Sequence, residues 1–92
     1  MVVARTNDGF EVEIDKRILS DWRFTMLIAK IQSGTDTEKI SSAEKLVNLL
    51  LGEDKRDALF AHIAEKNDGF VPIEDVMTAI ADIMNSCNET KN

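Results

Sequence analysis

The stretch VVARTNDGFEVEID (residues 2–15) decides the fold class, because apolar and polar residues alternate on both sides of a turn. Phe10, Val12 and Ile14 fall on one face at a period of two, which is typical of a half-buried β-strand. Asp8 and Gly9 belong to an Asn-Asp-Gly sequence that tolerates the positive φ angles of a tight turn. The sequence therefore predicts a β-hairpin over about residues 2–15. Since an isolated hairpin is only marginally stable in water, its apolar face should pack on the elements that follow.

Beyond residue 15 the apolar period changes from two to that of an α-helix. A first helix is predicted over about residues 20–33, with Ser20 as its N-cap and Gly34 as its stop signal. Its apolar stripe has the spacing i, i+3, i+4 and i+7 and consists of Phe24, Leu27, Ile28 and Ile31.

The segment SGTDTEKISS (residues 33–42) is polar, rich in Ser and Thr, and without periodicity, so it predicts a loop. Ser42 would then cap a second helix over about residues 42–51, which Gly52 ends in a left-handed conformation. Acidic residues at positions 53 and 54 favour the start of a third helix, over about residues 53–66.

The letters NDGF occur a second time, at residues 67–70, and predict a turn at Asp68 and Gly69. Pro72 suits the first turn of a fourth helix over about residues 72–87, whereas residues 88–92 lack periodicity and should fray. The sequence thus predicts one domain over residues 1–92. Its class is α+β, mostly α, with an N-terminal β-hairpin packed on a small bundle of about four helices.

Charge and hydropathy narrow the functional classes. The net charge of −6 arises after residue 30, where the sequence has twelve acidic and six basic residues (6 − 12 = −6). No cluster of Lys and Arg is present, which argues against binding to nucleic acid. No apolar run is longer than the four residues from Met26 to Ala29, far fewer than a membrane-spanning helix requires, so a soluble, cytoplasmic protein without membrane contact is expected. The single cysteine, Cys87, permits no internal disulfide and is interpreted as a small, half-buried apolar residue.

The second NDGF resembles a calcium loop only superficially. With Gly69 at position 6 of an EF-hand loop, the ligand positions 1, 3 and 12 become Ala64, Lys66 and Asp75. The first position thus lacks a ligand, the third carries a cation, and the twelfth has a shorter carboxylate than the usual Glu. We therefore expect no metal site at this turn. His62 is the only histidine, and no glycine-rich phosphate cradle exists. We therefore expect neither enzymatic activity nor a cofactor.

The order of features resembles a known family. After the hairpin come SDWRFTMLIAKIQSG (residues 20–34), a polar loop, AEKLVNLLLGEDKRDALFAHI (residues 43–63) and DGFVPIEDVMTAIADIM (residues 68–84). This arrangement is similar to the small tail assembly chaperones of long-tailed bacteriophages and prophages, especially those of Gram-positive hosts. The resemblance spans roughly residues 10 to 85, and its most telling part is Leu-Gly-Glu between two helices and Asp-Gly before the last.

The resemblance implies a function as well as a fold. Such a protein would bind the long helical tape-measure protein, keep it soluble, and leave as tail tube subunits polymerise around it. It would act in the cytoplasm of the bacterial host and be absent from the mature virion. The family also implies a longer product, made by programmed frameshifting near the end of the short reading frame.

Apolar residues beyond the minimum helical stripes are the predicted partner-binding residues, namely Trp22, Met26, Met77 and Met84. Methionine is flexible and polarizable, which suits a surface that adapts to a helical client or to a second copy of the chain. The same methionines could instead fill gaps in the core. Two other functions are also open: a small acidic regulatory or inhibitory module of a prophage, and a degenerate EF-hand-like protein.

Overall fold

The computed structural model describes residues 1–89 and places an antiparallel hairpin at the N-terminus. Strands β1 (Val2–Arg5) and β2 (Glu11–Ile14) pair so that Val2 faces Ile14 and Arg5 faces Glu11. In the turn, the Thr6 N–H donates to the Phe10 carbonyl at 2.8 Å, and Gly9 has a φ of 100° that favours glycine. The predicted hairpin and its turn are therefore confirmed. Alternate residues of the two strands face the core, where Ala4, Val12 and Ile14 are buried.

Helix α1 (Trp22–Ser33) follows a short 3-10 helix over Lys16–Ser20. Its N-cap is Asp21 and not the predicted Ser20, because Asp21 has the extended backbone of a cap and its carboxylate accepts from the Arg23 N–H at 2.8 Å. The guanidinium of Arg23 lowers the pKa of this carboxyl to about 2. At the other end, the predicted stop at Gly34 is confirmed. A Cβ on Gly34 would lie 2.6 Å from the Lys30 carbonyl oxygen, so the tight link to the next helix requires glycine.

Helix α2 (Asp36–Lys66) begins six residues before the position predicted for it, so the expected loop over residues 33–42 is wrong. Thr35 and Glu38 form a capping box, in which the Glu38 N–H donates to the Thr35 hydroxyl at 3.2 Å. The Thr35 N–H in turn donates to the Glu38 carboxylate at 2.8 Å. These two bonds satisfy backbone donors that a loop would leave to water. Ser42, the predicted N-cap, is a buried residue inside the helix.

Gly52 divides α2 into two arms, residues 36–51 and 53–66. Its φ of 78° and ψ of 169° are not helical and produce a kink without an intervening loop. Where the sequence predicted a helix end at Gly52, the structure therefore has a change in the direction of α2. As a result, the four predicted helices correspond to three in the structure, while the predicted fold class is confirmed.

Helix α3 (Ile73–Glu89) follows the second turn. Asp68 and Gly69 have φ values of 55° and 93°, and the Gly69 N–H donates to the Ala64 carbonyl at 2.8 Å, so the predicted turn is confirmed. The predicted start at about residue 72 is within one residue of Ile73. Of the tail expected to fray, residues 88–89 belong to α3, and residues 90–92 lie outside the described part of the chain.

The core lies where the hairpin, both arms of α2 and α3 meet. Its five largest fully buried side chains come from β2, from each arm of α2 and from α3: Ile14, Leu46, Leu59, Ile83 and Cys87. Cys87 is therefore more buried than its sequence context suggested, and burial raises the pKa of its thiol. Within the described residues, no helix is both long and apolar enough to cross a membrane.

Candidate interaction surfaces

The four predicted partner-binding residues lie on two separate surfaces. Trp22 and Met26 line a shallow groove between α1 and the first arm of α2, and their exposed fractions are 75% and 40%. We call it the tryptophan groove; its volume is about 500 Å³. The residues that line it are Trp22, Arg23, Met26, Leu27, Lys30, Lys45 and Leu49.

Met77 and Met84 lie instead in a cavity of about 210 Å³ between α1, α2 and α3. Both side chains are half-buried, so each contacts the core and also reaches the surface. Aliphatic residues from all three helices complete the lining: Ile28, Ile31, Ala43, Leu46, Val47, Ile80 and Ala81. Gln32 and Asn85 are its polar lining residues, and no charged residue among residues 1–89 lines it.

A second cavity, of about 490 Å³, adjoins the first through the shared residues Ala43, Val47 and Met77. We call the two together the methionine groove. The second cavity is lined by further apolar residues and by three charged ones, and these are Ile40, Phe60, Val71, Ile73, Val76, Glu44, Arg56 and Asp57. Met77 therefore stands between two apolar depressions that share one wall.

Sequence reasoning missed the most exposed apolar residues of this region. Ile40 is 57% exposed and Ile73 is 61% exposed, and both line the methionine groove. Ile73 continues the apolar spacing of α3, yet it lies in the first turn of that helix, beyond the core. Phe70, 73% exposed, precedes Val71 in the turn. The available signal was two consecutive apolar residues between Gly69 and Pro72, which no helical stripe requires.

The hairpin turn carries a polar cluster around Asp8. Its carboxylate forms an ion pair with the Lys66 ammonium and accepts from the Thr6 hydroxyl. These two contacts, Lys66 first, hold the pKa of Asp8 well below its usual range. His62 Nε2 lies 3.1 Å from Asp8 Oδ2 but lacks the geometry of a hydrogen bond.

The same turn is tied to α3. The backbone N–H of Asn7 donates to Asp82 at 3.0 Å, and its side-chain amide donates to the same carboxylate at 3.2 Å. The Arg5 N–H donates to the Ser86 hydroxyl at 3.0 Å. Together with the Asp8 cluster, these bonds fix the hairpin to both α2 and α3, so the first NDGF sequence has a structural role beyond the turn.

The second NDGF sequence is also held by its own polar groups. Asn67 donates from its side-chain amide to the Ile63 carbonyl at 2.8 Å and to Asp75 at 2.9 Å. Asp75, which would be the last calcium ligand of an EF-hand loop, is thus engaged with a neighbouring amide. Within residues 1–89, no group of three or more His, Cys, Asp and Glu side chains is arranged to hold a metal ion.

Comparison with known proteins adds no relative: no family model, no curated protein and no solved structure matches this chain.

Proposed function

We propose that this protein is a tail assembly chaperone that holds a helical segment of a tape-measure protein in the methionine groove. The observation that carries the proposal is the pair of adjoining apolar cavities that share Met77. The resemblance of residues 10 to 85 to phage tail assembly chaperones supplies the identity of the client.

The groove has the dimensions and chemistry that suit an amphipathic helix. Met77 and Met84 are two turns apart on α3, a distance of about 10 Å at 1.5 Å per residue. A client helix could therefore place apolar side chains at i, i+3, i+4 and i+7 along this wall. Because methionine has several rotatable bonds and a polarizable sulfur, the wall can adapt to different client side chains.

The rest of the surface suits a role in keeping such a client soluble. A tape-measure segment with an exposed apolar stripe would aggregate, and covering that stripe with a protein of net charge −6 replaces it with a charged surface. Since the groove reaches the surface, where Ile40 and Ile73 are more than half exposed, its occupant can leave when tube subunits compete for the client. The protein would act in the bacterial cytoplasm and remain outside the finished virion.

The test is co-expression with the tape-measure protein of the same tail gene cluster. We expect the wild-type chain to keep that protein in the soluble fraction and to co-purify with it. Ile73→Gln removes an exposed apolar side chain from the groove, and the lost burial of roughly 1–2 kcal/mol should weaken the complex about fivefold to thirtyfold. Because Ile73 is 61% exposed, the variant should keep its fold, which circular dichroism would verify.

Val3→Gln is the matched control. Val3 is 52% exposed, but it lies on the outer face of the hairpin, away from the groove. Equal loss of the client in both variants would contradict the assignment to the methionine groove. If the folded wild-type chain does not solubilise the client, or if no tape-measure gene accompanies it, the chaperone proposal itself is wrong. Capture of a basic partner would then favour the acidic inhibitory module.

A further inference from the structure

The tryptophan groove is distinguished from the methionine groove by its charge. All three charged residues that line it are cations, Arg23, Lys30 and Lys45, although the chain as a whole carries a net charge of −6. The methionine groove, by contrast, is lined by two carboxylates and one guanidinium. A cationic rim around apolar residues is therefore a local feature of an acidic protein.

The two lysines contribute most of this positive charge. Arg23 forms an ion pair at 2.9 Å with Asp21, the N-cap residue of α1. Neither Lys30 nor Lys45 forms an ion pair within 4.0 Å with any residue in the described part of the chain; Lys30 acts on Glu38 only as a minor cause of that residue's lowered pKa. Their ammonium groups are available to a partner.

The apolar part of the groove is shaped by two helices. Trp22, Met26 and Lys30 follow one another at intervals of four residues along α1, over about 12 Å. Lys45 and Leu49 stand on the facing arm of α2 with the same interval. An exposed tryptophan beside a methionine offers a broad apolar contact, of the kind that dominates binding interfaces.

We infer that the tryptophan groove is a docking site for an amphipathic helix of another protein whose apolar stripe is flanked by Asp and Glu. Trp22 and Met26 would cover the stripe, while Lys30 and Lys45 would pair with the flanking carboxylates. Charge complementarity sets this occupant apart from a client of neutral or basic character. The inference concerns a second surface and does not depend on the client of the methionine groove.

Two other occupants of the groove are alternatives to this helix. An anionic membrane would attract the lysines but repel a protein that carries six excess negative charges. A second copy of the chain could cover the groove through its own acidic surface, and this would appear as self-association. Both are outcomes of the following experiment.

Trp22 is the only tryptophan, and the chain has no tyrosine, so its fluorescence reports on this groove alone. The probes are two synthetic helical peptides with the same leucine stripe, one flanked by Glu and the other by Lys. We expect the Glu-flanked peptide to shift the Trp22 emission to shorter wavelength, with binding that weakens as salt is added. The Lys-flanked peptide should bind at least fivefold more weakly.

Lys45→Glu should reduce the affinity for the Glu-flanked peptide about fivefold to tenfold, because reversal replaces an attraction with a repulsion. Lys39→Glu is the matched control. It changes an exposed lysine of the same helix outside the groove, and it also brings the net charge from −6 to −8 (−6 − 2). The control should bind as wild type does, and circular dichroism should show both variants folded.

Four results would overturn the inference. These are an equal loss of affinity in both lysine variants, equal binding of the two peptides, and no emission shift with the Glu-flanked peptide at millimolar concentration. The fourth is a shift of the Trp22 emission without any peptide. If phosphatidylserine vesicles cause it, the groove is a membrane surface; if protein concentration alone causes it, the occupant is a second copy.

Discussion

Replacing Gly52 with alanine tests whether the kink of α2 is a requirement of the fold. At a φ of 78° and a ψ of 169°, Gly52 lies in a region of backbone conformation that is essentially restricted to glycine. A Cβ added there meets no atom within 4 Å, so the cost of alanine is conformational and not steric. Conformations of this kind cost about 1–3 kcal/mol in a residue with a side chain.

We expect Gly52→Ala to lower the free energy of unfolding by about 1–3 kcal/mol, as measured by urea denaturation and circular dichroism. For a domain of this size, each kcal/mol corresponds to about 4–8 °C in Tm, so the variant should melt several degrees lower or more. Ser41→Ala is the control, since Ser41 is exposed and helical in the first arm of α2. That variant should be nearly as stable as wild type.

Two outcomes would refute the reasoning. A loss below about 0.5 kcal/mol would mean that the native angles at position 52 are not those described, since ordinary surface substitutions produce changes of that size. A gain in helical content with unchanged stability would mean that α2 can straighten through position 52, because alanine is the best helix former. The kink would then not be needed to bring the second arm onto the core.

Two further predictions concern Asp8 and calcium. Asp8→Asn should cost less than about 1 kcal/mol at pH 7, because the carboxylate is 36% exposed and solvent screens its pair with Lys66. Folding lowers the pKa of Asp8 from 3.8, so the carboxylate stabilises the fold only where it is ionised. The difference in unfolding free energy between wild type and variant should therefore be largest above about pH 5 and shrink as the pH falls below 3.8. A difference that stays constant with pH in urea titrations would contradict this prediction. Millimolar calcium should leave the Tm unchanged, because Lys66 stands where the third loop position needs an oxygen; a rise of several degrees would show a bound ion.

Local chemistry was enough to predict the hairpin and the turns. Gly9, Gly52 and Gly69 each stand where the backbone takes a positive φ, and such positions are readable because few residues tolerate that conformation. The start of α2 shows how the same approach failed. The Ser and Thr residues over 33–42 predict a loop, whereas Thr35 and Glu38 have the spacing of a capping box that begins a helix.

The surfaces depend on tertiary packing and were harder to predict. Periodicity indicates which face of a helix is apolar, but it does not say which neighbour covers that face. Periodicity therefore predicts Trp22, Met26, Met77 and Met84 as one set of partner-binding residues, whereas the packing of α1 on α2 places the two pairs in different grooves. Ile73 has the same helical spacing as the buried apolar residues of α3. It is exposed because the first turn of α3 lies beyond the core.

The bond between Arg5 and Ser86 has a consequence for synthesis. The ribosome makes β1 before α3, yet the two are in contact in the folded domain, and the Arg5 N–H donates to Ser86, 81 positions later. At 5–20 residues per second, translation needs about 4–16 s to span that interval. The hairpin can contact α2 earlier, but β1 must wait for α3 during this time, so the complete core forms only after α3 has left the ribosome. An alternative reading frame could extend the chain without destroying the fold only if it diverged after Cys87.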